Sequence, residues 1–291
     1  FELYKNTPQF HKINRDFTLQ DFKFIYFWEY FHRLWARSMG IVFLLPFLWF
    51  LWKKKLDRSL ILDLVVLVFL AAFVASLGWI MVASGLNDKP WVNAYKLSFH
   101  LIAAVCTLAF LLYIILKRKV YSIQIHDISK ICHLFLLTMI GLTTAQLVLG
   151  GVVAGMKAAI VAPTWPTING KMVPEHVFDI SSYGNYLFVD YDRAPTGPII
   201  VQFWHRTLAY LIFITSCLAS YIWLKKLGSL SRPFVLVMMG VLLLQISLGI
   251  CTLLNSIGNV SVFFGVVHQG VGILFFLYLL FLHWGPFKLK I

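Results

Sequence analysis

The chain reads as long apolar blocks separated by short polar links. Residues 60–84, 101–116 and 234–254 approach or exceed the ~20 positions that an α-helix needs to cross a bilayer. The pattern predicts seven spans, over residues 26–52, 60–85, 94–116, 131–155, 199–224, 233–257 and 260–283. Residues 1–25 are polar and aromatic, contain Pro8 and mixed charges, and read as a loop rather than a cleavable signal.

Composition agrees with the blocks. The chain is 60% hydrophobic and only 13% charged, against the roughly 25% charge of a soluble domain. These features give an all-α polytopic membrane protein. A net charge of +13 raises the possibility of nucleic-acid binding, but its distribution argues otherwise. Lys53, Lys54, Lys55 and Arg58 follow the first span, and Lys117, Arg118, Lys119 and Lys130 follow the third. Lys225, Lys226 and Arg232 follow the fifth, and Lys288 and Lys290 the last. The link 158–198 carries Glu175, Asp179, Asp190 and Asp192. Such alternation is how spans are oriented, with basic links and the C-terminus on the cytoplasmic or matrix side. Cys106, Cys132, Cys217 and Cys251 lie within or at the edge of apolar blocks and form no CxxC pair. They are expected to be buried structural thiols.

Four histidines stand near the same end of four spans: His32, His100, His205 and His268. Each is expected within the first three turns of its helix, in the outer half of the membrane. The intervening spans carry Leu77-Gly78, Leu149-Gly150 and Leu248-Gly249. Small residues there let helix backbones approach closely in lipid. The order His, Leu-Gly, His, Leu-Gly, His, Leu-Gly, His is a four-helix repeat whose second copy is complete. The first copy lacks its opening Leu-Gly helix, so seven of eight helices are expected in this chain, with one preceding Phe1. Two pseudo-symmetric four-helix bundles follow, over residues 1–125 and 126–291.

Imidazoles are costly in a bilayer and mark function there. Two facing histidines in a bundle core suit axial ligation of haem iron. The 26 Phe and 10 Trp residues supply apolar lining. Zinc fits less well, because no third or fourth ligand stands at matched depth. Arg33 and Arg206 directly follow the first histidine of each half and are candidate partners for haem propionates. The halves differ three residues before those histidines, where Glu29 faces Gln202. An i, i+3 spacing puts Glu29 on the face of His32, where a carboxyl can move protons or stabilise charge. This asymmetry suggests one reactive site and one for electron transfer or structure. His11, His126, His133, His176 and His283 read as solvated or structural. Gln269 is a candidate hydrogen-bond partner beside His268.

Several stretches together resemble the haem A synthase family of the mitochondrial and proteobacterial type. They are Asn6-Thr7-Pro8, Phe17-Thr18-Leu19, Phe22-Lys23-Phe24-Ile25 and Glu29-Tyr30-Phe31-His32-Arg33. Gly85-Leu86, Val201-Gln202-Phe203-Trp204-His205-Arg206 and His268-Gln269-Gly270 continue the series, with Trp165-Pro166 through Val173-Pro174-Glu175 in the long link. The resemblance covers essentially the whole chain. It implies eight transmembrane helices and oxidation of a haem O methyl group to the formyl group of haem A, for use by cytochrome oxidase. It implies successive oxygenations, a resident haem b ligated by His205 and His268, a substrate haem flanked by His32 and His100, and an essential carboxylate at Glu29. Haem O synthase would supply the substrate, in a mitochondrial inner or bacterial cytoplasmic membrane. Some bacterial members carry a cysteine pair in an outer loop, which no cysteine here matches.

The competing reading is a di-haem b cytochrome passing electrons from quinol without substrate chemistry. A pure carrier needs no carboxyl at one site only, so Glu29 against Gln202 separates the two. A transporter would show paired helix breaks in both halves, and the sequence pairs none.

Overall fold

The computed structural model describes residues 1–83, 90–118, 125–188, 191, 194–285 and 287–289. Gly85, Leu86, Lys119, Asp190, Asp192 and Lys290, singled out above, lie outside them, as do the side chains of His126 and Lys288. Seven long helices are present among the described residues: α1 (Leu19–Trp52), α2 (Arg58–Ala83), α3 (Ala94–Arg118), α4 (Lys130–Gly155), α5 (Thr196–Leu227), α6 (Arg232–Leu254) and α7 (Val262–Trp284). Six segments are long and apolar enough to cross a membrane, and one of them, Thr196–Leu254, holds both α5 and α6. Gly228 breaks that segment with φ +61°, a conformation open to glycine without strain. A single 3-10 turn follows, and Pro233 stands in the first turn of α6, where its missing N–H costs nothing.

Helix α1 starts seven residues earlier than the apolar pattern predicts. Thr18 and Asp21 form a capping box, the Asp21 amide donating to Thr18 Oγ1 and the Thr18 amide to Asp21 Oδ2. Local capping therefore extends the helix beyond its apolar block. His32 consequently lies nearly four turns into α1, deeper than expected. His100, His205 and His268 keep within the first three turns of α3, α5 and α7.

Contacts divide the chain into two compact units, Phe1–Asn93 and Ala94–Ile291. Helices α1 and α2 belong to the first, and each buries one residue, Phe47 on α1 and Leu67 on α2. At its start Phe1, Tyr4, Phe10 and Phe22 form an aromatic cluster, and Asn14 donates to the Tyr4 hydroxyl.

In the second unit α4, α5, α6 and α7 form a closed four-helix bundle, with α3 packed against α4 and α7. Its core contains Leu136, Met139, Trp223, Met238 and Leu279. The Trp223 indole donates to the Cys132 carbonyl, so its one polar atom is satisfied. Helix α3 meets α4 through small residues. A Cβ at Gly151 would lie 2.8 Å from the Ser98 Cα, and one at Gly155 2.5 Å from the Ala94 Cα. This is a small-xxx-small crossing, closed by a 2.7 Å bond from Ser98 Oγ to the Val148 carbonyl. The all-α reading needs one addition. Ile125–Ile128 and Phe287–Leu289 form a short parallel pair that ties the α3–α4 link to the segment after α7.

Of the four cysteines only Cys132 is buried; Cys251 is half-buried, and Cys106 and Cys217 are exposed. The expectation of burial fails because an apolar helix in lipid needs no polar outer face, so a thiol sits there as comfortably as in the core.

Candidate haem-binding site

Two of the four sequence-identified histidines meet in the second unit. The rings of His205 on α5 and His268 on α7 lie 6.5 Å apart between centroids, inclined at 72°. Each ring enters the bundle over a glycine of a neighbouring helix. A Cβ at Gly150 on α4 would lie 3.4 Å from His205 Cε1, and one at Gly249 on α6 would lie 2.9 Å from His268 Cε1. The Leu-Gly pattern thus has a second use besides backbone approach: these two glycines make room for the imidazoles.

Each ring also carries an amide. Gln146 Nε2 is 3.2 Å from His205 Nε2, and Gln245 Nε2 is 3.4 Å from His268 Nε2. His268 Nδ1 lies 3.0 Å from the main-chain carbonyl of Gln245, which fixes that nitrogen as the protonated one. His205 Nδ1 is buried without a partner, as are Gln146 Oε1 and Gln245 Oε1. Neither glutamine was singled out from the sequence. The signal was present: both stand four residues before the glycine that admits the ring, as Gln146…Gly150 and Gln245…Gly249. In α2 the corresponding place before Gly78 is Val74. Gln269, proposed beside His268, is exposed, and the amide at that ring is Gln245 instead. Position 269 leaves the interior because adjacent helical residues point about 100° apart.

The site fits a haem by its donor set. Two imidazoles stand 6.5 Å apart between centroids, and no group of three or more His, Cys, Asp or Glu that could hold a metal occurs among the described residues. A macrocycle supplies its own four equatorial ligands and needs only the axial pair. Imidazole nitrogens about 2 Å from a shared metal put ring centroids on opposite sides roughly 6 Å apart, close to the spacing here.

Gln202 and Arg206 flank His205 one turn apart, and both are spent on the link after α4. Gln202 is buried and donates to the Ala158 and Ala162 carbonyls at 3.0 and 3.3 Å. Arg206 Nη2 donates to the Thr164 carbonyl at 2.8 Å, to Gln202 Oε1 at 3.0 Å and to the Ala162 carbonyl at 3.4 Å. Its Nη1 donates to the Thr167 and Pro166 carbonyls at 3.2 and 3.5 Å. A planar guanidinium fork suits such a cluster of carbonyls. Further along, the Tyr191 hydroxyl accepts from the Ala94 amide, Tyr95 donates to the Leu187 carbonyl, and Trp204 donates to the Tyr183 hydroxyl. The link is thereby a folded cover on the bundle end that holds the two rings. A cavity of about 240 Å³ within it is lined by residues such as Asn169, Lys171, Glu175 and His176, none of them from the histidine pair.

In the first unit Glu29 pairs with Arg33 at 2.8 Å, one turn apart on α1, with side chains 58% and 46% exposed. His32 is exposed on the same helix. The pair Glu29–Arg33 is thus the register counterpart of Gln202–Arg206, but faces outward. His100 is half-buried on α3. His133 and His283, read as isolated, form a pair with ring centroids 5.1 Å apart, because α4 and α7 pack along their length.

Comparison with known proteins places these features in a family. The sequence pattern of the COX15-CtaA family, described as cytochrome oxidase assembly protein, matches residues 1–280. The heme A synthase of Flavobacterium psychrophilum is 35% identical over 283 residues, covering 93% of this chain and 78% of that protein. The heme A synthase of Flavobacterium johnsoniae is 37% identical over 275 residues, with 92% and 77% covered. That of Bradyrhizobium diazoefficiens is 34% identical over 275 residues, with 94% and 73% covered. The matched range runs through both units and spans the positions of the paired imidazoles, the glycines beneath them and the covering link. The chain belongs to the COX15-CtaA family of cytochrome oxidase assembly proteins.

Proposed function

We propose that this membrane protein is a haem A synthase, an oxidoreductase that converts a methyl group of haem O to the formyl group of haem A for cytochrome oxidase. The observation that carries the reading is the facing pair His205–His268, in a chain aligned along more than nine-tenths of its length with heme A synthases. Those two residues are assigned as axial ligands of a resident haem b in the C-terminal half, 126–291. A haem held there supplies a one-electron relay. His32 and His100 are assigned to the substrate haem in the N-terminal half, 1–125.

Glu29 is assigned the catalytic role, and its contrast with Gln202 supports it. Gln202 is consumed by the Ala158 and Ala162 carbonyls, whereas Glu29 has an exposed carboxylate held only at Oε1 by Arg33. Such a carboxylate can accept a proton from the substrate carbon's oxygenation product or balance developing positive charge. Arg33 and Arg206 are assigned to haem propionates because each directly follows a histidine. Arg206 would keep both Nη groups on the covering link and meet a propionate through Nε. The basic links support a C-terminus on the cytoplasmic or matrix side, with the four histidines toward the other.

The test is pigment extraction from full-length protein co-produced with a haem O source. Haem A is expected in the wild type and absent from Glu29→Gln, while haem b remains bound in both. Recovery of only haem b and unmodified haem O from folded wild-type protein would instead support the electron-carrier reading.

A further inference from the structure

Burying a neutral imidazole with both nitrogens unpaired is costly, and a haem-ligating histidine faces that problem whenever haem is absent. In this chain Nε2 of both rings has an amide beside it, and Nδ1 of His268 has a main-chain carbonyl as well. Gln146 stands against His205 Nε2 and Gln245 against His268 Nε2, at 3.2 and 3.4 Å. For His268 the tautomer is set by the Gln245 main-chain carbonyl at Nδ1, so Nε2 carries the lone pair and the Gln245 amide donates to it. That lone pair is the one an axial ligand gives to iron.

The arrangement is built rather than incidental. Gln245 lies over Gly272 of α7, where a Cβ would come within 2.8 Å of its Nε2. His268 in turn lies over Gly249 of α6. The two helices therefore interlock, the Gln…Gly spacing of one against the His…Gly spacing of the other, both at i, i+4. On α4 and α5 the same spacing recurs as Gln146…Gly150 and His205…Ala209. The two Oε1 atoms remain buried without partners, so these amides are not held by bonds of their own.

We infer that Gln146 and Gln245 are positioning residues that hold the Nε2 lone pairs of His205 and His268 until haem takes them. They keep each Nε2 paired during the interval before loading, and they give way when haem enters. The Gln245 half of the device has no counterpart in α2, where Val74 occupies its register. The inference rests on the assignment of His205 and His268 as haem ligands.

The experiment uses full-length protein in detergent, made in haem-deficient cells and titrated with haem b, with thermal unfolding measured before and after loading. The variants are Gln146→Leu and Gln245→Leu. Gln245→Met, similar in length and unable to donate, serves if leucine misfolds. Each variant is expected to unfold at lower temperature than wild type when haem-free and at the wild-type temperature when loaded. Its haem affinity should rise roughly twofold to tenfold, because loading no longer breaks a hydrogen bond. Equal destabilisation of both forms with unchanged affinity would mean a merely structural role and overturn the inference. So would weaker haem binding. Failure of the wild type to take up haem with a bis-histidine spectrum would instead remove the ligand assignment beneath it.

Discussion

Substituting Gly249 by alanine tests the site with one methyl group. The new Cβ would lie 2.9 Å from His268 Cε1, 3.3 Å from Nδ1 and 3.6 Å from Nε2. The first distance is too short for any carbon contact, so the ring or the helix must move. The ring is held at Nδ1 by the Gln245 carbonyl 3.0 Å away, on the same helix as the new methyl group. It cannot retreat without giving up that bond. Overpacking of this kind costs about 1–3 kcal/mol, and the displaced hydrogen bond adds about 1 kcal/mol. Alanine returns up to about 1 kcal/mol through its helix propensity. If the haem-free ring relaxes away from the methyl group, returning it to the ligating position costs that net ~1–3 kcal/mol, roughly fivefold to 150-fold weaker haem binding. Gly150→Ala is the matched control. Its Cβ would lie 3.4 Å from His205 Cε1 and 4.0 Å from Nδ1, an ordinary contact. Haem content per chain and the low-spin bis-histidine spectrum are the measurements, on full-length protein purified in detergent. Gly249→Ala should lose haem where Gly150→Ala keeps it. Equal retention by both, or greater loss from Gly150→Ala, would refute the packing argument.

His205→Ala should lower haem b content and haem A formation together, read by pigment extraction. Arg206→Ala removes a guanidinium that donates to four backbone carbonyls and Gln202, so the link should open to limited proteolysis between residues 158 and 170. Arg206→Lys should not restore protection, because one ammonium cannot span that set of acceptors. Gly155→Val drives a branched side chain into the Ala94 backbone 2.5 Å from the site of its Cβ, and should lower the unfolding temperature in detergent.

The spans were legible because lipid demands ~20 consecutive apolar residues and a satisfied backbone whatever the neighbours are. Their ends were less so. Helix α1 begins with the Thr18–Asp21 capping box, a local hydrogen-bond feature that apolar counting overlooks. The four histidines stood out because an imidazole in an apolar block is expensive. Gln146 and Gln245 did not, because a glutamine in a transmembrane helix reads equally as an interhelical contact. Only their shared distance from Gly150 and Gly249 marked them, and that distance acquires meaning once His205 and His268 are seen over those glycines.

Sequence by itself determined that this is a polytopic helical membrane protein, and it singled out the histidines proposed as iron ligands. These follow from local rules: helix length, charge in the links, and the cost of polar groups in lipid. Tertiary structure decided which face of each helix turns inward. A helix in lipid is apolar on every side, so no amphipathic stripe announces its packing face. The exposed Cys106 and Cys217, the pairing of His133 with His283, and the binding of Arg206 to loop carbonyls all depended on helix packing. The same packing brought His205 and His268 together between two glutamine-bearing helices, and made a spacing pattern into a site.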